Sequence, residues 1–242
     1  MKIILTLLIM FVFAVYVQAT DFEKDVFKTS GGDLEITFIA HGTLMMEYNG
    51  KVIHIDPVSW YADYATMPKA DLILITHEHG DHLDAKALDA VKKDGTELVL
   101  TEICNQQYGG TKVLKNGESG TFAGIKVDAV PAYNIKNERE PGKPFHPKGT
   151  GNGYVLHFGD KKVYVAGDTE NIPEMAELKD IDVAFLPMNL PYTMTPEMVA
   201  EATKMFQPKV LYPYHFGETN TDELVELLKN QNKTELRIRN LK

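Results

Sequence analysis

The most constraining feature of the chain is an apolar segment that runs directly into a cluster of histidines and carboxylates. Residues 71–76 read DLILIT, and the six residues that follow, HEHGDH, contain three of the eight histidines in the sequence. An uninterrupted aliphatic run is typical of a strand buried on both faces. A polar turn that is rich in histidine by chance is the alternative, but three histidines within six positions favour a site for one or two metal ions. The candidate ligands are His77, His79, Asp81 and His82.

The same arrangement occurs twice more along the chain. The apolar run KKVYVAG is followed by Asp168, and the run KVLYPY is followed by His215. Strand ends that project ligands to one edge of a sheet form a rigid and partly open metal site. Because imidazole and carboxylate are present without thiolate, the set favours zinc, iron or manganese over copper(I).

Composition excludes several classes of function. The net charge is −9, and no run of five basic residues occurs, which argues against a nucleic-acid surface. Cys104 is the sole cysteine, so neither an intramolecular disulfide framework nor a zinc site of several thiolates is possible. These features argue against a nucleic-acid partner, and we expect a small-molecule or lipid-like substrate instead.

The first residues resemble a secretory signal peptide. One early lysine precedes an apolar run from Ile3 to Val17, and Ala19 marks a plausible cleavage site. The run is shorter than the roughly 20 residues that span a bilayer, although an uncleaved anchor is the alternative. We expect residues 1–19 to be removed and residues 20–242 to form one domain. That domain would be exported to the periplasm or secreted, without stable membrane insertion.

The remaining pattern predicts an α/β protein with strands in two sheets and helices outside them. Residues 34–57 read as three strands, with Asn49-Gly50 as a hairpin turn, and Gly159-Asp160 joins two later strands. One helix is predicted over residues 83–95 and closed by Gly95, and another begins at an N-cap, Thr195.

Three motifs together resemble the metallo-β-lactamase superfamily. They are THEHGDH at residues 76–82, AGDT at 166–169 and YPYHFG at 212–217, and the resemblance extends over about residues 34 to 240. The segments IDPVSW, PFHPKG and LPMNLPYTMTPE are most similar to one branch of it. That branch contains the ascorbate-6-phosphate lactonase-like proteins and the N-acyl-phosphatidylethanolamine phospholipase D type enzymes.

The resemblance implies a four-layer αββα sandwich with a two-metal site at one edge of the sheets. It implies that His77 and His79 hold the first ion, that Asp81, His82 and His215 hold the second, and that Asp168 bridges them. It also implies hydrolysis by a metal-bound hydroxide, with Asp81 as a catalytic group that orients the nucleophile or passes a proton. We expect zinc, with manganese or iron as alternatives.

One position departs from the family pattern. Where family members often carry the third histidine of the first metal site, this chain has Asn134, and the nearest histidine is His146 in the following loop. We expect His146 to complete the site and Asn134 to contact it or the substrate, while a surface histidine on a loop is the alternative. Three further residues are candidates for contact with ligands or substrate: His41, Asp56 and Tyr192. Asp56 either accepts a hydrogen bond from a ligand histidine or caps a turn.

The sequence therefore predicts an exported metal-dependent hydrolase of an ester, lactone or phosphodiester. A β-lactam hydrolase of the same fold is the alternative within this class, because the fold itself does not determine the substrate. A non-catalytic metal-binding protein is the alternative from another class.

Overall fold

The computed structural model describes residues 22–109 and 112–241. The predicted signal peptide, residues 1–19, and the predicted mature start at Thr20 lie outside the described residues. Within the described ranges, every helix is too short or too polar to cross a membrane.

Two seven-stranded sheets form the body of the protein. The first sheet contains, in sequence order, β1 (Lys24–Thr29), β2 (Gly32–Ala40), β3 (Thr43–Tyr48), β4 (Lys51–Ile55), β5 (Leu72–Leu74), β6 (Glu97–Leu100) and β7 (Lys112–Val113). The strands after it are β8 (Ser119–Phe122), β9 (Ile125–Ala132), β10 (Glu138–Glu140), β11 (Lys143–Pro144), β12 (Gly151–Phe158), β13 (Lys161–Val165), β14 (Val183–Pro187), β15 (Val210–Tyr214) and β16 (Glu235–Leu236). The second sheet has the order β16-β15-β14-β13-β12-β9-β8, and β10 pairs with β11 alone. Both predicted hairpins are confirmed, between β3 and β4 and between β12 and β13.

In the described part of the chain, four α-helices accompany the sheets: α1 (Ala85–Val91), α2 (Glu102–Tyr108), α3 (Pro196–Phe206) and α4 (Thr221–Leu228). The predicted N-cap of α3 is confirmed, since the Thr195 hydroxyl accepts a hydrogen bond from the backbone of Met198. The predicted end of the first helix at Gly95 is wrong. Helix α1 ends at Val91 because Lys92 leaves the helical conformation, and Gly95 forms the turn before β6 with a φ of 83°.

The predicted αββα sandwich is confirmed by how the apolar side chains divide between the layers. In β5, Leu72 and Leu74 are buried in the core shared by the two sheets, whereas Ile73 packs in a second cluster with Leu88 and Val91 of α1. This division explains the uninterrupted apolar run, since a strand covered on both faces has no polar side. Helices α3 and α4 pack on the second sheet through the buried side chains of Val199, Ala202, Phe206, Leu224 and Leu228.

Parallel strand pairing brings the ends of several strands to one edge. Strands β4, β5 and β6 are parallel neighbours in the first sheet, as are β13, β14 and β15 in the second. The carboxyl ends of such strands are the usual place for ligands in α/β sheets. Hydrogen bonds join the sheets at this edge. The Tyr154 hydroxyl donates to the carbonyl of Ile75 at 2.7 Å, and the backbone of Asn152 donates to that of Thr76 at 2.9 Å.

Removing the side chain of Leu74 is expected to destabilise the fold strongly. Leu74 is fully buried between the sheets, so Leu74→Ala should lower the free energy of unfolding by about 2–5 kcal/mol through lost burial and a residual cavity. Val225→Ala, at an exposed position of α4, is the control and should change it by less than about 0.5 kcal/mol. Urea unfolding followed by circular dichroism measures both. A similar small loss for both variants would contradict the packing of β5 described above.

Candidate metal centre

Histidine and aspartate side chains from both sheets meet at the edge formed by these strand ends. In three groups, the possible ligand atoms all lie within 4.8 Å of one another: His77, His79 and His146; His41, Asp81 and His215; and His77, His82 and Asp168. The structure therefore brings together all seven predicted metal ligands and adds His41 to them.

Asp168 lies between His146 of the first group and His215 of the second. Its Oδ2 atom is 3.3 Å from Nε2 of His146 and 3.3 Å from Nε2 of His215. Its Oδ1 atom is 3.5 Å from Nε2 of His82. One buried carboxylate thus faces histidines of both groups, which is the position that a bridging ligand requires.

Several buried atoms at this edge have no hydrogen-bond partner among the described residues. They are Nε2 of His82, Oδ1 of Asp168 and both ring nitrogens of His215. A buried polar atom without a partner costs about 1–3 kcal/mol, so such atoms are rare unless a ligand satisfies them. Imidazole nitrogen and carboxylate oxygen are common donors to zinc, manganese and iron, and this donor set therefore fits divalent metal ions.

Asp56 orients one of the candidate ligands. Its Oδ2 atom lies 2.8 Å from Nδ1 of His82, and its two oxygens accept hydrogen bonds from the backbone and hydroxyl of Thr76 at 2.8 and 2.6 Å. Because a carboxylate only accepts, His82 carries its proton on Nδ1 and turns Nε2 towards Asp168. Of the two predicted roles of Asp56, contact with a ligand histidine is the one that the structure displays.

Asn134 orients His146 in a similar way. The Asn134 side-chain oxygen accepts hydrogen bonds from the backbone and from Nδ1 of His146, at 2.8 and 2.7 Å. This leaves Nε2 of His146 free to point into the cluster, 3.2 Å from Nδ1 of His79. The structure therefore places the His146 ring in the cluster and the Asn134 amide behind it. Tyr192 contacts Asn134 through its backbone carbonyl, at 2.9 Å.

Three residues of the centre have strained backbones. His41, Asp56 and His215 have φ values of 53°, 45° and 48°, in the left-handed region that non-glycine residues rarely adopt. The backbones of two of them are joined, since that of His215 donates to the carbonyl of His41 at 3.0 Å. Nε2 of His41 is also 3.4 Å from Oδ2 of Asp81. Strain of this kind tends to occur at functional sites.

Burial and nearby charges shift the pKa values of three histidines of the centre in two opposite directions. Burial lowers the pKa of His77 well below its usual range, and it lowers the pKa of His146 to about 4. Burial also opposes protonation of His82, but the carboxylates of Asp168 and Asp56 outweigh it and raise that pKa to about 9. At neutral pH, His77 and His146 therefore offer neutral rings to a cation, and His82 lies in a negative field that a cation would neutralise.

The two central aspartates are held in their charged form. Burial on its own raises the pKa of Asp81, but the neighbouring imidazole groups of His215 and His41 outweigh it and lower the pKa below its usual value. The same balance applies to Asp168, where burial is outweighed by the charges of His215 and His82. Both groups are therefore ready to act as anionic ligands.

An open cleft of about 430 Å³ adjoins the centre. It lies between residues 59–65 and helix α1, and its volume is within the range of small-molecule sites. The ring of Tyr61 contacts that of His41 with centroids 5.5 Å apart, and the side chain of Trp60 lies beside Gly80 with 71% of its surface exposed. The cleft thus contacts His41 through Tyr61, and Trp60 lies beside the loop that carries the candidate ligands.

Two buried residues of the site were not identified from the sequence. Thr76 hydrogen-bonds to Asp56, and Glu170 is 1% exposed and lies two residues after Asp168. Their only local signal is their position next to candidate ligands, because their partners are distant along the chain.

Comparison with known proteins identifies the family. The profile of the β-lactamase superfamily domain matches residues 35–215. A metal-dependent hydrolase of Methanopyrus kandleri is 34% identical, over 76% of this chain and 84% of that protein. Another from Pelotomaculum thermopropionicum is 31% identical, over 80% of this chain and 87% of that protein. A crystal structure from Parabacteroides distasonis, assigned as a metal-dependent hydrolase, is 53% identical, covers 92% of this chain and 100% of that one, and has a TM-score of 0.88.

The chain belongs to the β-lactamase superfamily. It is a metal-dependent hydrolase of the metallo-β-lactamase fold, in agreement with the resemblance of its motifs. The narrower branch indicated by the loop segments stays a prediction.

Proposed function

We propose that the chain binds two divalent metal ions, zinc before manganese or iron, and hydrolyses an ester, lactone or phosphodiester. The observation that carries the proposal is the position of Asp168 between two groups of histidines. The first ion would be held by His77, His79 and His146, the second by Asp81, His82 and His215, and both by Asp168. Export of the enzyme, predicted from residues 1–19, stays a prediction.

The bound ions and the side chains of the centre would have different roles in hydrolysis. When bound, the ions supply activation of water and positive charge that stabilises an oxyanion. Asp81 is the ligand candidate best placed to move a proton, because its side chain is 33% exposed whereas Asp168 is buried. Its Oδ2 atom lies 3.4 Å from Nε2 of His41, and the carboxylate would orient the attacking water or pass a proton to the leaving group.

Apolar side chains around the centre support a carbon-rich, lipid-like substrate. Four large apolar residues are exposed on loops that adjoin the candidate ligands: Trp60, Ile135, Leu190 and Tyr192. Ile135 directly follows Asn134, and Tyr192 is hydrogen-bonded to Asn134 and packs against Phe145 with ring centroids 5.1 Å apart. Exposed apolar groups that gather around a site are a common mark of an apolar ligand.

Metal analysis combined with a substrate panel tests the proposal. We expect close to two transition-metal equivalents per chain in metal-replete protein, and hydrolysis of at least one long-chain ester, lactone or phosphodiester. A chelator should remove the activity, and added zinc or manganese should restore it. A single equivalent would contradict the two-metal assignment. Full metal loading without turnover would favour a non-catalytic metal-binding protein, and turnover of β-lactams alone would favour a β-lactam hydrolase.

A further inference from the structure

Glu170 is a buried carboxylate that binds the beginning of the loop carrying His146. Its Oε2 atom accepts hydrogen bonds from the backbones of Ile135 and Lys136, both at 2.9 Å. Its Oε1 atom accepts from the backbone of Asn137 at 2.7 Å and from the side-chain amide of Asn134 at 3.3 Å. Three successive backbone N–H groups thus surround one carboxylate, an arrangement that binds anions well.

The contact with Asn134 determines which way its amide group points. The Asn134 nitrogen donates to Glu170 and to the backbone carbonyl of Tyr192, so both acceptors lie on one side of the amide. The amide oxygen is therefore directed to the opposite side, where it accepts from His146. An amide turned the other way would place its NH₂ group against the N–H groups of His146 and lose these bonds.

The orientation of Asn134 in turn determines the state of His146. Because an amide oxygen only accepts, the His146 ring keeps its proton on Nδ1 and exposes the lone pair of Nε2. That atom is 3.2 Å from Nδ1 of His79 and 3.3 Å from Oδ2 of Asp168. A chain of hydrogen bonds therefore runs from Glu170 through Asn134 to His146 and the proposed first metal site.

We infer that Glu170 is a positioning residue that acts through Asn134 to set the tautomer and ring orientation of His146. The inference rests on the proposed function, since His146 must bind the first metal ion for its orientation to affect metal affinity. Glu170 would be for His146 what Asp56 is for His82, a carboxylate behind the ligand histidine, here with an amide between them.

Glu174 provides a matched control. It accepts hydrogen bonds from the Tyr133 hydroxyl at 2.9 Å and from the Lys148 ammonium group at 2.6 Å. It therefore binds both ends of the same loop from the same segment of chain as Glu170. The hydrogen bonds of Glu174 do not involve Asn134 or His146, so its removal affects the loop without affecting the orientation of the histidine.

The first test measures Zn²⁺ affinity of the full chain by competition with a chromophoric chelator, for Glu170→Gln and Glu174→Gln. Glutamine places an NH₂ donor among backbone N–H donors, so Glu170→Gln should weaken one of the two zinc equivalents by about 10- to 100-fold and leave the other unchanged. Glu174→Gln should leave both within about 3-fold of wild type, because effects below half a kcal/mol are usual away from such contacts. Wild-type affinity for both equivalents in Glu170→Gln would overturn the inference while the proposed function stands. A wild-type chain that binds no zinc would overturn both.

A second variant tests whether Glu170 acts through Asn134. Asn134→Ala leaves the three backbone hydrogen bonds of Glu170 in place and should weaken the same zinc equivalent, even if Glu170→Gln does not fold. The double variant should lose less than the sum of the two single losses, as residues in one hydrogen-bond network do. Fully additive losses, or wild-type affinity in Asn134→Ala, would show that Glu170 does not act through this amide.

Discussion

Replacing Asp168 with alanine is expected to abolish turnover and to remove most of the bound metal. The two oxygens of this carboxylate face His146, His215 and His82, so they serve both proposed ions. The loss of a ligand shared by two cations, together with their charge stabilisation, should lower the rate by roughly 1,000-fold or more. Elemental analysis of purified protein and the turnover of any substrate found in the panel measure the two effects.

Asp128 offers a control that also pairs with a histidine. Its Oδ2 atom lies 2.6 Å from Nε2 of His157 on the neighbouring strand, outside the three groups of candidate ligands. Asp128→Ala should therefore keep both metal equivalents and most of the turnover. Asp168→Ala with activity close to wild type would reject the bridging role and, with it, the shared centre.

The parts of the site that the sequence predicts are those that follow a strand directly. The run DLILIT indicates a buried strand because both of its faces are covered, and the motif after it then has a fixed place at the end of β5. The same reasoning places Asp168 after β13 and His215 after β15. In each case the local apolar pattern alone indicates where the strand ends and therefore where the candidate ligand lies in the sheet.

The parts that the sequence does not predict depend on contacts between distant residues. Glu170 and Asn134 are 36 positions apart, and Thr76 and Asp56 are 20 apart. Hydrophobic periodicity does not report such contacts, because a buried carboxylate between N–H donors resembles a surface carboxylate in a single sequence. Helix α2 was missed for a related reason. Its one buried residue is Cys104, so the helix has no apolar stripe from which its period can be recognised.

The loop between Asn134 and His146 contains both a residue that the sequence predicts as a ligand and a contact that it does not predict. It gives the second prediction with a large expected effect. His146→Ala is expected to remove close to one of the two metal equivalents and to lower turnover by about 100-fold or more, because the first proposed zinc site loses one of its three histidine ligands. Asn134→Ala should keep both equivalents when free metal is in excess, since it weakens the orientation of His146 but removes no imidazole. Metal content measured in the presence of excess zinc separates the two variants.

His157→Ala is the control for the loss of a histidine outside the centre, and it should keep both equivalents and the turnover. The comparison is informative because Asn134 occupies the sequence position at which a ligand histidine is common in the family, whereas the structure turns its oxygen to His146. A neutral amide oxygen is a poor ligand for zinc compared with imidazole nitrogen. Loss of one equivalent in Asn134→Ala, with full metal content in His146→Ala, would mean that the amide is the ligand and that the loop holds the histidine for another purpose.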